Sequence, residues 1–251
     1  WKTGCSLGKE RRGVKLMGGK DLANRVEGFV LAGGRSSRFG TDKALALAGG
    51  VPLLSRALGE LAALGIRARI VAPDPVPYAA LGAEVVSSER PGLGPGEALR
   101  ALLRVCAAPW ALVLATDMPG VDAGVIRALA AGLPREEPPE GPAAVCFGEA
   151  SGRRHPLPGL YHRSLGGLLE TLPGDVSLRG VLEEASPRIL PADPEDLAPR
   201  LANLNTPLDM ERFERLRPRL AAFPGTAGPE SDCHYRMPDL DWRVVCAKFH
   251  K

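Results

Sequence analysis

Apolar runs alternate with amphipathic stretches from Glu27 to about Arg217. The first run, Gly28-Phe29-Val30-Leu31, has no polar alternation and reads as a strand buried on both faces. After a glycine-rich loop, Leu53, Leu54, Ala57, Leu58, Leu61 and Leu64 recur at helical spacing. Pro52 suits the first turn of that helix and Gly65 its end. Strand Arg69–Ala72, a short helix near Tyr78–Leu81 and strand Glu84–Val86 follow. A helix from about Gly96 to Cys106 leads to the strongest strand, Trp110–Ala115. Asp117-Met118-Pro119 closes that strand, and Val121–Leu133 is helical. The second half is less regular. Strands are expected at Ala143–Phe147, Leu157–His162 and Arg188–Leu190, with a basic turn at Arg153–Pro156. Helices are expected at Ser164–Leu172, at Ser177–Glu184 and from Thr206-Pro207 onward.

Such alternation predicts an α/β fold: a mostly parallel sheet with helices on both faces, in three layers. In sheets of this kind ligands bind beyond the carboxyl ends of the strands. The unusual local sequences fall there: 33–43, 72–74, 88–96 and Asp117.

The ends differ in character. Residues 1–25 carry Lys9, Arg11, Arg12 and Lys15 with no apolar run behind them, so a secretory signal is not expected in this stretch. From Pro218 onward Pro-Gly pairs and polar residues break the helical pattern. The expected organisation is a tail over 1–25, one domain over 26–217 and a second tail over 218–251.

Composition narrows the class. With 251 residues, 45% hydrophobic, the chain can bury a core. A net charge of +3, with signs interspersed, argues against a nucleic-acid surface. No apolar run is long enough to span a bilayer, so no membrane partner is expected. Five cysteines without a Cys-x-x-Cys pair suit a reducing, cytoplasmic setting, and Cys106 and Cys146 read as core residues. Cys233, His234, Cys246 and His250 match no common zinc spacing. One asymmetry stands out. Only seven of the 32 basic residues are lysine, and Lys43 is the single lysine between Val26 and Arg217. Lysine and arginine are not interchangeable at a phosphate site, so the exception marks a candidate.

Lys43 ends the loop Leu31-Ala32-Gly33-Gly34-Arg35-Ser36-Ser37-Arg38-Phe39-Gly40-Thr41-Asp42-Lys43. Glycines after a strand let the backbone turn sharply, and successive free N–H groups suit phosphate oxygens. The loop is neither a Walker A motif nor G-x-G-x-x-G.

Read whole, the loop resembles the L-A-G-G-x-S-x-R-[FM]-G-x-D-K signature of the molybdenum cofactor guanylyltransferases. Further echoes are Pro91-Gly92-Leu93-Gly94-Pro95, Thr116-Asp117-Met118-Pro119, His155-Pro156 and Asn203-Leu204-Asn205-Thr206-Pro207. The resemblance covers about Val26 to Arg217. It implies a Rossmann-like nucleotidyltransferase fold and Mg²⁺-dependent transfer of GMP from GTP to molybdopterin, releasing pyrophosphate. By the same resemblance Leu31, Ala32, Gly33, Gly34 and Ser88 bind the nucleotide, Arg38 and Lys43 hold the triphosphate, and Asp117 ligates Mg²⁺. Molybdoenzymes or cofactor chaperones are the protein partners it implies.

Three positions depart from the family pattern. Ala72 and Ser88 stand where relatives commonly carry Asn and Asp near the base, and Gly96 replaces a leucine. A cytidylyl or sugar-phosphate transferase, or a non-catalytic nucleotide-binding protein, stays open on those residues. Arg153, Arg154 and His155 face either an acceptor phosphate or solvent in a hairpin turn. Asn205 is either a site residue or, with Thr206 and Asp209, a helix cap. Glu170, Glu183 and Glu184 read as a solvated helix face.

Overall fold

The computed structural model describes residues 19–32, 42–87, 92–193 and 195–220. In chain order it runs α1 (Gly19–Arg25), β1 (Val26–Leu31), a single 3₁₀ turn (Lys43–Leu45), the hairpin β2 (Leu47–Ala48) and β3 (Val51–Pro52), and α2 (Leu53–Ala63). Then come β4 (Ala68–Val71), a 3₁₀ helix (Val76–Leu81), β5 (Val85–Val86), α3 (Pro95–Val105), β6 (Trp110–Ala115) and α4 (Ala123–Ala130). The second half holds β7 (Ala144–Gly148), β8 (Arg154–His162), α5 (Leu165–Thr171), α6 (Leu178–Glu184), β9 (Arg188–Pro191) and α7 (Pro207–Leu220).

Seven strands form one sheet in the order β5-β4-β1-β6-β8-β7-β9. Strand β8 runs antiparallel to both its neighbours; the other pairings are parallel. Strand parity explains the layers. Val26, Val30, Leu112 and Leu114 point to one face, where they meet Leu54, Leu58 and Leu61 of α2 and Ile126 and Leu129 of α4. Phe29, Ala111 and Val113 point to the other, against Leu99 and Leu102 of α3, Leu169 of α5 and Val181 of α6. Successive strand side chains alternate faces, so a run apolar at every position can fill two cores. Gly28 sits where the packing is close: a Cβ there would lie 2.8 Å from a Leu61 methyl and 3.3 Å from the Arg67 carbonyl oxygen, so Leu61 would have to shift.

The helix ends follow local chemistry. Asp122 accepts from the Val125 N–H at the start of α4, and Glu60 of α2 accepts from the Ala123 N–H. Ser177 caps α6 in the same way. Pro52 precedes α2 as its N-cap residue, and Gly65 beyond its end takes φ +70°.

The structure departs from the sequence-based expectations in four places, the first being the unexpected β2–β3 hairpin. Residues 19–25 are a helix rather than tail: Leu22 joins the core and Arg25 pairs with Glu137. Helix α7 runs to Leu220, beyond the expected boundary at 217. Strand β8 begins at Arg154, so Arg154, His155 and Pro156 are strand residues and the turn lies earlier, at Glu149–Arg153. Cys106 and Cys146 are buried free thiols, as expected. Burial pushes them up to about 12 and about 11, so they stay protonated. Glu170, Glu183 and Glu184 are exposed. No helix among the described residues is long and apolar enough to cross a membrane.

Candidate functional site

Sheet direction brings the carboxyl ends of β1, β4, β6 and β7 to one edge. Because β8 is antiparallel, its beginning lies at that same edge. Asp117 stands two residues past β6, and its backbone carbonyl accepts from the Leu204 N–H at 2.7 Å. That bond carries the segment before α7 onto the end of β6.

The segment is clamped a second time. Arg200 is buried and its guanidinium donates to Asp122 at 2.5 Å. Gly120 lies between the two clamps: a Cβ there would stand 2.8 Å from the Cα and carbonyl oxygen of Arg200. Glycine is therefore the residue that lets the two backbones meet.

The cap question at α7 resolves in favour of Thr206. The Thr206 hydroxyl accepts from the Asp209 N–H at 3.2 Å, and the Asp209 carboxylate accepts from the Thr206 and Asn205 N–H groups at 2.9 Å each. This is a reciprocal capping box with Pro207 in the first helical position. The bonds to those N–H groups hold the Asp209 carboxyl below its usual range. Asn205 is thereby relieved of capping.

Its side chain turns to Lys43 instead. Lys43 Nζ donates to Asp117 Oδ2 at 3.2 Å and to Asn205 Oδ1 at 3.3 Å. Two hard oxygens from distant segments thus converge on one cation. The pair is partly buried, with the lysine and aspartate side chains 15% and 24% exposed. Such oxygens also fit a hard divalent ion, which takes few protein ligands and completes its shell with phosphate and water. Among the described residues no group of three or more His, Cys, Asp or Glu is arranged as a metal cluster.

The structure brings together Lys43 and Asp117 from the expected set, and adds Asn205. Leu31 and Ala32 stand at the end of β1 beside them. The Leu31 carbonyl accepts from the Thr116 N–H, and the Ala32 N–H donates to Val71, so these groups serve the sheet. Gly33, Gly34, Arg38 and Ser88 lie outside the described residues.

Ala72, past the end of β4, is buried with its N–H bonded to the Val86 carbonyl, and offers the edge a methyl group only. Gly96 has a structural reason: a Cβ there would lie 2.0 Å from the Val176 carbonyl oxygen. The chain leading into α6 fills the space a leucine would need.

At the β7–β8 end, His155 is nearly buried and its Nε2 lies 2.8 Å from Glu149 Oε1. The bond from His155 and one from Ser151 hold the Glu149 carboxyl below its usual range. His155 therefore braces the turn, while the Arg153 side chain is 66% exposed at its rim.

Comparison with known proteins agrees with this architecture. The model of the MobA-like NTP transferase domain matches residues 28–189. A probable molybdenum cofactor guanylyltransferase of Chloroflexus aggregans is 40% identical over 108 residues, 42% of this chain and 52% of that protein. The molybdenum cofactor guanylyltransferase of Rhodobacter capsulatus is 34% identical over 207 residues, 77% of this chain and 97% of that protein. Among solved structures, molybdopterin-guanine dinucleotide biosynthesis protein A from Archaeoglobus fulgidus superposes with a TM-score of 0.62 at 25% identity. That match covers 77% of this chain and 99% of the other.

Proposed function

The chain belongs to the MobA-like NTP transferase family and is a nucleotidyltransferase, and from that premise we propose that it transfers GMP from GTP to the molybdopterin cofactor. The products are the guanine dinucleotide form of the cofactor and pyrophosphate. The observation that carries this reading is the convergence of Lys43, Asp117 and Asn205 at the carboxyl edge of the sheet.

An oxygen of the acceptor's terminal phosphate attacks the α-phosphorus of GTP. The new P–O bond forms as the bond from the α-phosphorus to the bridging oxygen breaks, and pyrophosphate departs with that electron pair. A phosphate nucleophile is already ionised at neutral pH, so no general base is needed. Rate then comes from positioning and from charge neutralisation.

Lys43 supplies a compact charge on a flexible stem. In the structure it rests on Asp117 and Asn205, and turning about that stem brings it to the phosphates. Arg38 belongs to the same loop and adds a second cation. Asp117 and Asn205 would hold Mg²⁺, which when bound neutralises charge spread over the phosphate oxygens. Arg153, exposed at the β7–β8 turn on the same edge, offers the acceptor phosphate a guanidinium.

A second reading, cytidylyl transfer, is favoured by one observation: Ala72 brings no polar side chain to the edge where a purine would be read. The two readings separate in an assay of pyrophosphate release with each of the four nucleoside triphosphates, Mg²⁺ and a molybdopterin source. Turnover with GTP is expected. Turnover with CTP and not GTP replaces the guanylyl assignment, and nucleotide binding without turnover removes the catalytic one.

A further inference from the structure

The turn that carries Lys43 is held from outside the site. It is a three-residue 3₁₀ turn, Lys43–Leu45, with Asp42 as its N-cap. Turns this short have too few internal hydrogen bonds to fix their own geometry. Asp42 Oδ1 accepts from the Ala44 N–H at 3.0 Å. The other carboxylate oxygen, Oδ2, accepts from the Tyr78 hydroxyl. Tyr78 sits on the 3₁₀ helix after β4 and is 2% exposed, its ring packed in the core. It is thus a rigid post, and its hydroxyl meets the one carboxylate that caps the lysine turn.

We infer that Tyr78 is a positioning residue for Lys43: its hydroxyl fixes the Asp42 carboxylate, which sets the turn so that the ammonium meets Asp117 and Asn205. Burial first, and the Asp42 carboxylate beside it, push the phenol well above its ordinary value, so it stays a donor throughout the working range. The role toward nucleotide phosphates rests on the function proposed above. The role toward Lys43 rests on geometry alone.

Tyr78→Phe tests both, because it keeps the ring and its burial and removes only the donor. Lys43 is the single lysine between Val26 and Arg217. Acylation of its Nζ by an N-hydroxysuccinimide ester is therefore read on one peptide after cleavage at arginine. Loss of the Tyr78 bond is expected to speed that labelling about three- to tenfold, the size of one hydrogen bond. Asp42→Asn breaks the same link from its other end and serves if Tyr78→Phe does not fold.

The second arm measures binding of GTP with Mg²⁺ by calorimetry. Tyr78→Phe should weaken it about three- to tenfold, and should weaken it no further in the Lys43→Met background, because the two act as a unit. Equal labelling rates in wild type and in the folded variant overturn the proposal, as do equal binding losses in both backgrounds. Failure of the wild type to bind GTP refutes the guanylyl reading instead, and the labelling arm then decides Tyr78.

Discussion

Asp117 and Lys43, 74 residues apart in the chain, lie with carboxylate oxygen and ammonium nitrogen 3.2 Å apart. The partner that Asp117 offers a cation is thus in place before any ligand arrives. Asp117→Ala is expected to reduce Mg²⁺-dependent turnover by at least ~10²-fold, the scale of removing one stabilising group. Stability should change by about 1 kcal/mol or less, since the pair is partly solvated. Lys43→Arg keeps the charge but replaces a point ammonium with a planar fork, and should lose about tenfold in kcat. Steady-state pyrophosphate release beside urea denaturation checks all of these. Full activity in Asp117→Ala would remove it from the site.

Gly120 and Gly167 make a matched pair of tests. At Gly120 a Cβ would meet Arg200 backbone at 2.8 Å, and backbone does not give way as a flexible side chain does. Gly120→Ala should cost about 1–3 kcal/mol and should lower kcat as well, because the displaced segment carries Asn205. At Gly167, exposed within α5, a Cβ meets nothing within 4 Å. Gly167→Ala should stabilise by about 0.5–1 kcal/mol through helix propensity and leave activity unchanged. Denaturation midpoints and kcat for the two variants settle the contrast.

The edge of the sheet opposite the site holds a pH-sensitive group. His162 is buried, stacks edge-on against Trp110 with ring centroids 5.0 Å apart, and places Nε2 3.4 Å from Glu137. Burial lowers its pKa below the ordinary histidine value, against the opposing pull of Glu137. The unfolded chain therefore takes up this proton first as pH falls. Stability is full above the ordinary histidine range and declines as pH drops through it, until the folded form is protonated too. Urea denaturation between pH 8 and pH 5 should show that decline in the wild type and a flatter profile in His162→Gln. The carboxyls held low by hydrogen bonds, Glu149 and Asp209, act in a separate window. Their contributions are present above the ordinary carboxylate range and are lost at more acidic pH. A profile unchanged by His162→Gln would assign the decline elsewhere.

What the residues revealed in advance depended on how local their signals are. Trp110–Ala115 appears as a strand at its expected limits because six apolar residues in a row leave no other economical burial. The beginning of β8 was hidden because Arg154, His155 and Pro156 resemble a turn; only pairing with β7 makes them strand. Helix α1 was hidden by glycine and polar residues, and its single core anchor, Leu22, carries no periodic signal alone. Lys43 and Asp117 stood out from motif and composition. Asn205 was ambiguous for a physical reason: Asn and Thr are both good helix caps, and only the hydrogen bonds with Asp209 decide which is released.

The reversed strand β8 divides the molecule's evolutionary liabilities. Its turn with β7, Glu149–Arg153, opens at the working edge yet belongs to a hairpin, so the chain enters and leaves it on adjacent strands. Residues can be inserted or exchanged there without rethreading a helix crossover or disturbing β1, β4 and β6. That part of the edge can thus vary in length while the strands that carry Asp117 and lead into Lys43 stay fixed.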